Sequence, residues 1–411
     1  MPRHLFFIAA SLCHSYVRHT NMATFIIALC LLLFIGYATL IIYYRTGWLQ
    51  MPVFTANAQL TPQTTITVII PARNEAANIG ACLDSVCKQS YPANLFEVIV
   101  VDDHSTDSTA AIVQSLSGQN VKLLALKDFI GDNPLNSYKK KAIEVAIQQS
   151  VGELIVTTDA DCTVPLHWLQ TIAAFYEQHN AALIAAPVII DCSHNFLQMF
   201  QSLDFMTLQG ITGASVYKKL HNMCNGANLA YEKKVFFEVG GFEGIDTIAS
   251  GDDMLLMHKI AKRFPGKVYF LKSKEAIVHT QPVDSLKAFF NQRIRWASKA
   301  DKYDDKTILP VLIVVYFFNV LLLFMPLMQL FTNHKIEVFD FELSIIQAWL
   351  LILLLKIIIE LFFLYPVSRL FSKQKSLWVF PFMQPFHILY TVIAGWLGKF
   401  GSYQWKDRKV E

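Results

Sequence analysis

The chain is poor in charge. Asp, Glu, Lys and Arg make up 16% of its 411 residues, against 54% for hydrophobic residues. Soluble domains usually carry about 25% charged and about 45–50% apolar residues. The apolar surplus is gathered near the N-terminus and in the last quarter, the layout of a membrane protein with one soluble domain. The net charge is only +3, and no basic tract of the kind that grips nucleic acid is present. No CxxC pair occurs among the seven cysteines Cys13, Cys30, Cys82, Cys87, Cys162, Cys192 and Cys224. An odd count without paired spacing speaks for free thiols in a reducing compartment. His104, His221, His258 and His279 lack metal-ligand spacing and read as ordinary polar or core residues. Internal repeats and low-complexity segments are absent.

What the chain does have is long hydrophobic runs. Residues 25–44 (FIIALCLLLFIGYATLIIYY) carry no charge. At a rise of about 1.5 Å per residue they cross a hydrocarbon core about 30 Å thick. The run exceeds the usual signal-peptide core of about 7–15 residues, and no small-x-small site follows it. A retained transmembrane helix over residues 23–45 is therefore expected, behind a tail at 1–22, with Met22 as an alternative start. Residues 308–331 and 344–365 are also long enough to span. Residues 377–400 are apolar but interrupted by Pro381 and Pro385, which predicts a kinked, re-entrant or interfacial segment. A C-terminal membrane region at 308–400 and a basic tail at 401–411 follow. Within residues 344–365, Lys356 and Glu360 stand four apart, which predicts a structural ion pair or a polar acceptor path. With residues 64–300 on the cytoplasmic side, the acidic loop at 332–342 falls outside and the basic loop at 367–376 inside, as the positive-inside rule expects, whereas the basic tail would end outside if residues 377–400 span fully, which favours a re-entrant or interfacial last segment.

Between 64 and 300 the texture changes. TITVIIP, FEVIVVDD, KLLAL and GELIVTTDAD read as β-strands that end on polar residues. Residues 78–90, 108–116 and 137–150 have helical spacing, with Asp107–Ser108–Thr109 as an N-cap signal. Alternation of this kind implies parallel strands joined by right-handed crossovers. Such sheets bind ligands beyond the carboxyl ends of the strands. The polar residues stand at those ends: Ala72 to Glu75, Asp102 and Asp103, and Asp159 to Asp161.

Four polar sets carry the chemistry. They are Ala72–Arg73–Asn74–Glu75, Asp102–Asp103, Asp159–Ala160–Asp161, and Gly251–Asp252–Asp253 followed by Gln292–Arg293–Ile294–Arg295–Trp296. A lone Asp-x-Asp in a loop is more often a turn or cap than a metal site. Here it follows the apolar strand LIVTT, so both carboxylates project from a strand end. Hard oxygens at this spacing suit Mg²⁺ or Mn²⁺ shared with substrate phosphates.

Taken in order, VIIPARNE, VVDDHSTDST, TTDADC, CNGANLAY, GFEG…SGDD and QRIRW resemble glycosyltransferase family 2. The likeness is greatest to its membrane-bound branch, which includes cellulose, chitin, hyaluronan and poly-N-acetylglucosamine synthases. It covers about residues 64–300. The resemblance implies an α/β catalytic domain of the GT-A kind, Rossmann-like with a mostly parallel sheet, flanked by transmembrane helices. It implies an inverting, metal-dependent hexosyl- or N-acetylhexosaminyltransferase of a cell's inner membrane, with Mg²⁺ or Mn²⁺ as cofactor. The donor would be a nucleotide sugar, most simply a UDP-sugar, and the acceptor a polysaccharide or lipid-linked molecule.

By the same resemblance, Pro71, Ala72, Asn74 and Glu75 would lie along the nucleotide. Asp103 would bond the base while Asp102 shapes the turn, and Lys139 would face the donor phosphates. The register of Lys139, Lys140 and Lys141 stays open, since a solvated helix start reads the same. Asp161 would be the better metal ligand and Asp159 nearer the donor. Asp253 would be the general base beside Asp252, which stands where many synthases have Glu. Gln292, Arg295 and Trp296 would close over diphosphate and acceptor.

The residues themselves leave alternatives. Trp296 can stack on a sugar face while Arg295 pairs with phosphate, or the helix can simply lie at the membrane surface. Asp252 and Asp253 can cap a helix. Asn225–Gly226–Ala227–Asn228 presents backbone to the acceptor or is a bare turn. Processive extension and single addition to a glycolipid both remain. With at most three C-terminal segments, export or accessory membrane subunits are candidate partners. Two other classes compete: a nucleotidyltransferase, which would need neither Asp253 nor the Gln292–Trp296 set, and an inactive nucleotide-binding scaffold.

Overall fold

The computed structural model describes residues 3–57, 62–116, 118, 120–130, 135–192, 195–220, 223–246, 248, 251–298, 308–330, 335–338, 341–400, 403–405 and 408–410. The first element, α1 (Arg3–Gln50), is one helix of 48 residues. The span expected at 23–45 lies inside it. The stretch expected as a tail is helical from Arg3 onward, with no break before the apolar run.

Strands and helices then alternate: β1 (Ile66–Ala72), α2 (Ile79–Cys87), β2 (Phe96–Asp102), α3 (Thr109–Leu116), β3 (Val121–Ala125), α4 (Tyr138–Gln149) and β4 (Leu154–Thr157). The helices, β2 and β4 fall inside the stretches that the sequence assigns to them, while β1 runs one residue past its stretch, to Ala72, and β3 begins one residue before its own, at Val121. The near-continuous Val and Ile of β1, β2 and β4 are buried because helices cover both faces of the sheet. Next come β5 (Cys162–Thr163), α5 (Trp168–His179), β6 (Leu183–Ala185), β7 (Val188–Ile190) and α6 (Phe196–Tyr217). They are followed by β8 (Leu229–Glu232), α7 (Lys233–Glu238), α8 (Asp252–Arg263), β9 (Val268–Phe270), β10 (Val278–Thr280) and α9 (Leu286–Ala297).

The main sheet runs β3-β2-β1-β4-β8-β6-β9, and β5-β10-β7 form a smaller one. Pairings β3–β2, β2–β1, β1–β4 and β6–β9 are parallel, while β8 is antiparallel to both neighbours. Ala72 pairs with Asp102, and Ile69 with Thr157. That register brings Arg73–Glu75, Asp103 and Asp159–Asp161 to one edge.

Three long helices follow α9: α10 (Ile308–Met328), α11 (Ile345–Leu370) and α12 (Phe380–Phe400). With residues 24–50 of α1, and with α12 counted from Gln374, four helices among the described residues are long and apolar enough to cross a membrane. Prolines do not end them. Pro366 lacks the N–H that would bond the Phe362 carbonyl, and the Arg45 side chain donates to that carbonyl instead at 3.1 Å. Pro326 likewise frees the Leu322 carbonyl, which accepts from the Trp349 indole at 2.8 Å. Pro381 falls in the first turn of α12, where a missing N–H costs nothing. The helix then continues through Pro385.

Lys356 and Glu360 form the expected pair at 2.7 Å. Gln384 of α12 bonds both, at 2.6 and 2.7 Å, and the Tyr37 hydroxyl of α1 donates to Glu360. Three helices are thereby pinned together by groups whose bonds are satisfied away from water.

The soluble and helical parts meet at α6. A Cβ on Gly210 would stand 2.7 Å from Val367 of α11, and one on Gly213 2.9 Å from Trp48 of α1. Lys272, after β9, donates to the Trp48 carbonyl in the last turn of α1 at 2.6 Å and to the Met51 carbonyl just beyond it at 2.9 Å. Burial pushes its pKa down to about 8.

Candidate active site

The loop after β1 is stitched to the loop after β2. Asn74 adopts φ 51°, a left-handed conformation that Asn tolerates better than most residues. Its carboxamide oxygen accepts from the Thr106 N–H at 2.8 Å, and its own N–H donates to Ser105 at 3.0 Å. Glu75 N–H donates to Thr109 Oγ1 at 2.8 Å, and Ala76 N–H to Asp107 Oδ2 at 3.0 Å. The other oxygen of Asp107 accepts from the Thr109 N–H at the start of α3. Asp102 Oδ1 accepts from Ser105 N–H at 3.4 Å. The buried Asp103 faces Arg73, whose guanidinium stands 3.8 Å from the carboxylate and donates to the Asp103 carbonyl at 2.9 Å.

A cleft of about 1460 Å³ opens beside these loops. Pro71, Ala72, Glu75 and Asp103 line one end. Lys139, Asp159, Asp161, Asp252 and Asp253 line it as well, and so do Gln292, Arg295 and Trp296 of α9. Of the residues given a role by the family resemblance, Asn74 and Asp102 are missing from its walls, and their side chains bond loop backbone instead.

The triple lysine resolves by helix geometry. Lys140 is buried and donates to the Ile245 carbonyl at 2.7 Å, while Lys141 pairs with Glu144 at 2.8 Å on the half-exposed side. Lys139 alone enters the cleft, 2.7 Å from Asp159 Oδ1 and 3.5 Å from Asp252 Oδ2. Burial works to lower its pKa, but the carboxylates of Asp159, Asp252 and Asp253 outweigh it and hold the ammonium above its ordinary value.

Asp252 and Asp253 are the first two residues of α8, entered through Gly251 at φ 80°. Asp253 Oδ1 accepts from the Met254 N–H at 2.7 Å, as a helix-start carboxylate does, and Oδ2 accepts from the Gly226 N–H at 3.0 Å. Gly226 is itself held by β4, whose Thr157 hydroxyl donates to its carbonyl at 2.7 Å. A Cβ on Gly226 would lie 3.2 Å from Asp252 Oδ2. The Asn225–Asn228 turn therefore presents backbone to the carboxylates. Asn228 is different: fully buried, it bonds the Trp168 indole and the Pro187 and Ala276 carbonyls.

The donor set fits a divalent ion that arrives with phosphate. Among the described residues no three His, Cys, Asp or Glu side chains converge on one point. Mg²⁺ commonly takes only one or two carboxylates and completes its shell with water and substrate phosphates. Asp159 and Asp161 supply that number. The neighbouring thiols are poor ligands: burial, then the charges of Asp161 and Asp159, push the pKa values of Cys82 and Cys162 up. The six cysteines whose side chains are described are all free.

The sequence reading gave no role to Arg293. It is buried, pairs with Asp204 at 2.8 Å, and lies 4.3 Å from the centre of the Trp296 ring.

Residues 67–240 match the profile described as glycosyl transferase family 2, and residues 154–397 that described as glycosyl transferase family group 2. The glycosyltransferase AglE of Haloferax volcanii is 37% identical over 189 residues, 46% of this chain and 58% of AglE. The probable glycosyltransferase YdaM of Bacillus subtilis is 25% identical over 264 residues, 62% of this chain and 59% of YdaM. The beta-monoglucosyldiacylglycerol synthase of a Synechocystis species is 30% identical over 125 residues, 30% of this chain and 26% of that protein. The aligned part is thus between 26% and 59% of these relatives' lengths. In fold, the chain is similar to the mannosyltransferase PcManGT from Pyrobaculum calidifontis, solved in complex with GDP-Man and Mn²⁺. The TM-score is 0.55 at 17% identity, with 92% of this chain and 98% of that one covered. The second profile takes in more than half of the chain, from β4 into α12, and on that ground the chain belongs to glycosyl transferase family group 2, with a family 2 match over its first strands and the GT-A fold.

Proposed function

We propose that this chain transfers a sugar from a nucleotide-sugar donor to an acceptor at the membrane, with inversion at the anomeric carbon. The observation that carries the reading is Asp253. Its carboxylate lines the same cleft as Asp103, Asp159, Asp161 and Trp296, held by the Gly226 N–H at 3.0 Å. The nucleotide lies along Pro71, Ala72 and Glu75, with its base toward Asp103, and Asn74 and Asp102 keep that loop in shape. Lys139 pairs with the diphosphate. Asp161 and Asp159 would hold Mg²⁺ or Mn²⁺, which would supply charge to balance the leaving diphosphate. An acceptor hydroxyl attacks the anomeric carbon from the face opposite the diphosphate. Its proton passes to Asp253, aided by the neighbouring charge of Asp252. The new C–O bond forms as the bond to the diphosphate breaks. Gln292, Arg295 and Trp296 grip acceptor and diphosphate, Trp296 by stacking on a sugar face.

The long apolar helices support membrane residence. Leu32, Ile35, Phe317, Leu354 and Ile358 stay exposed after packing, as side chains facing lipid do. The catalytic part lies on the cytoplasmic side of the inner membrane, where nucleotide sugars are made. Leu312 of α10 lines the cleft, so the acceptor end opens beside a membrane helix, which suits a lipid-linked acceptor or a glycan growing along the membrane. Detergent-solubilised protein offered UDP-, GDP- and dTDP-sugars with native membrane as acceptor tests the reading. It predicts release of nucleoside diphosphate with one of them, and no release from any donor would refute it.

A further inference from the structure

Arg293 does not line the cleft, yet it touches two residues that do. Its guanidinium donates to the Gln292 carboxamide oxygen at 3.0 Å and lies 4.3 Å from the Trp296 ring centre. The same guanidinium donates to Asp204 of α6 at 2.8 Å. The other oxygen of Asp204 accepts from the Tyr390 hydroxyl of α12 at 2.6 Å, and His387 of α12 stands 3.9 Å away. Arg293 and Asp204 are almost wholly buried, among the rings of Phe289 and Tyr390. Trp296 is backed by Phe205 of α6, with ring centres 5.8 Å apart. One turn earlier on α6, Gln201 exchanges two bonds with the Val283 backbone just ahead of α9, at 2.9 and 3.0 Å.

Stability alone does not call for this ion pair. Buried pairs replaced by well-packed apolar side chains of similar volume often cost nothing. What an apolar substitute cannot do is hold an amide and an indole face at the same time. The arginine fork has the donors and the flat cation for both.

We infer that Arg293 and Asp204 are positioning residues for the acceptor clamp, and that α12 sets them through Tyr390. The order of contact runs from α12 to Asp204, then Arg293, then Gln292 and Trp296 at the cleft wall. This rests on the reading that Gln292 and Trp296 grip the acceptor. It adds that their orientation is fixed from a long apolar helix outside the catalytic domain.

The test uses the full chain in detergent. Arg293→Met alone strands a buried carboxylate and can fail to fold, so the informative proteins are the double variant Asp204→Leu with Arg293→Met, and Tyr390→Phe. The measurements are thermal midpoint, affinity for UDP with Mg²⁺, hydrogen exchange in residues 286–297, and sugar transfer to native membrane. The double variant strands the Tyr390 hydroxyl but no charge, so it is expected to melt within several degrees of the parent and to bind UDP within about threefold of it. Its transfer efficiency should fall about 10²-fold, the scale of a small misplacement of reacting groups, with faster exchange confined to α9. Arg293→Lys, which keeps the pair with Asp204 but not the fork, should stay low. Tyr390→Phe should lose less but in the same pattern. Parental transfer and unchanged α9 exchange in the double variant, or in Tyr390→Phe should the double not fold, would overturn the inference. Absence of transfer in the parent would instead refute the glycosyltransfer reading, while α9 exchange would still report on the positioning.

Discussion

Replacing Asp253 by Asn exchanges a carboxylate for a carboxamide of nearly the same shape. In the parent, Oδ1 accepts from Met254 N–H at 2.7 Å and Oδ2 from Gly226 N–H at 3.0 Å. Asn can keep one of these bonds; its NH₂ group then meets the other N–H. The loss of one helix-start bond costs about 1 kcal/mol, and an unmet buried donor about 1–3 kcal/mol. Domains of this kind are stable by about 5–15 kcal/mol, so the variant folds. The chemical loss is larger. Removing a general base costs about 10²–10⁴ in rate, equivalent to about 2.7–5.4 kcal/mol of barrier at about 1.36 kcal/mol per tenfold. Stability and rate therefore separate. The assay is nucleoside diphosphate release in detergent, beside a thermal melt and calorimetric donor affinity. The expected result is a melt lowered by several degrees but still cooperative, near-parental donor affinity and less than one part in about a hundred of the turnover. A folded Asp253→Asn protein with more than half of parental turnover refutes the assignment and moves the base to Asp252 or another group.

Three further outcomes follow from the same geometry. Asp161→Asn keeps shape but removes a charge facing the diphosphate, so turnover should fall about 10²–10³-fold, and chelator should silence the parent; full activity in both tests counts against the metal. Gly226→Ala puts a methyl 3.2 Å from Asp252 Oδ2, so it should lower turnover while the melt moves by only a few degrees; parental activity would show that the turn gives way freely. Lys272 has its folded pKa at about 8, below its ordinary 10.5. Between those values the unfolded chain binds more protons, so folding gains stability as pH rises. The parent should gain on Lys272→Met in melting temperature from pH 8 to 10, and a constant difference would remove the titration from Lys272.

The strands were readable because β1, β2 and β4 are runs of β-branched residues buried on both faces, each closed by polar residues. Parallel pairing then had to bring those residues to one edge, and the Ala72–Asp102 register does so. What the sequence hid depends on partners far along the chain. Gly226 meets Asp253 across 27 positions, and Arg293 meets Asp204 across 89. Nothing local to QRIRW reveals which arginine turns inward. Lys139 could be told from Lys140 and Lys141 only once the buried face of α4 was known. Pro381 and Pro385 read as interruptions, yet α12 runs through both. At Pro366 a side chain from α1, Arg45, repairs the ladder, and no local pattern shows that.

The most direct test of single-displacement transfer is the anomeric configuration of the product, read from the anomeric proton by NMR after reaction with the accepted nucleotide sugar. One attack from the face opposite the diphosphate, with Asp253 taking the proton, gives a linkage of configuration opposite to that of the donor. A product that keeps the donor's configuration would contradict the mechanism, whatever the acceptor proves to be.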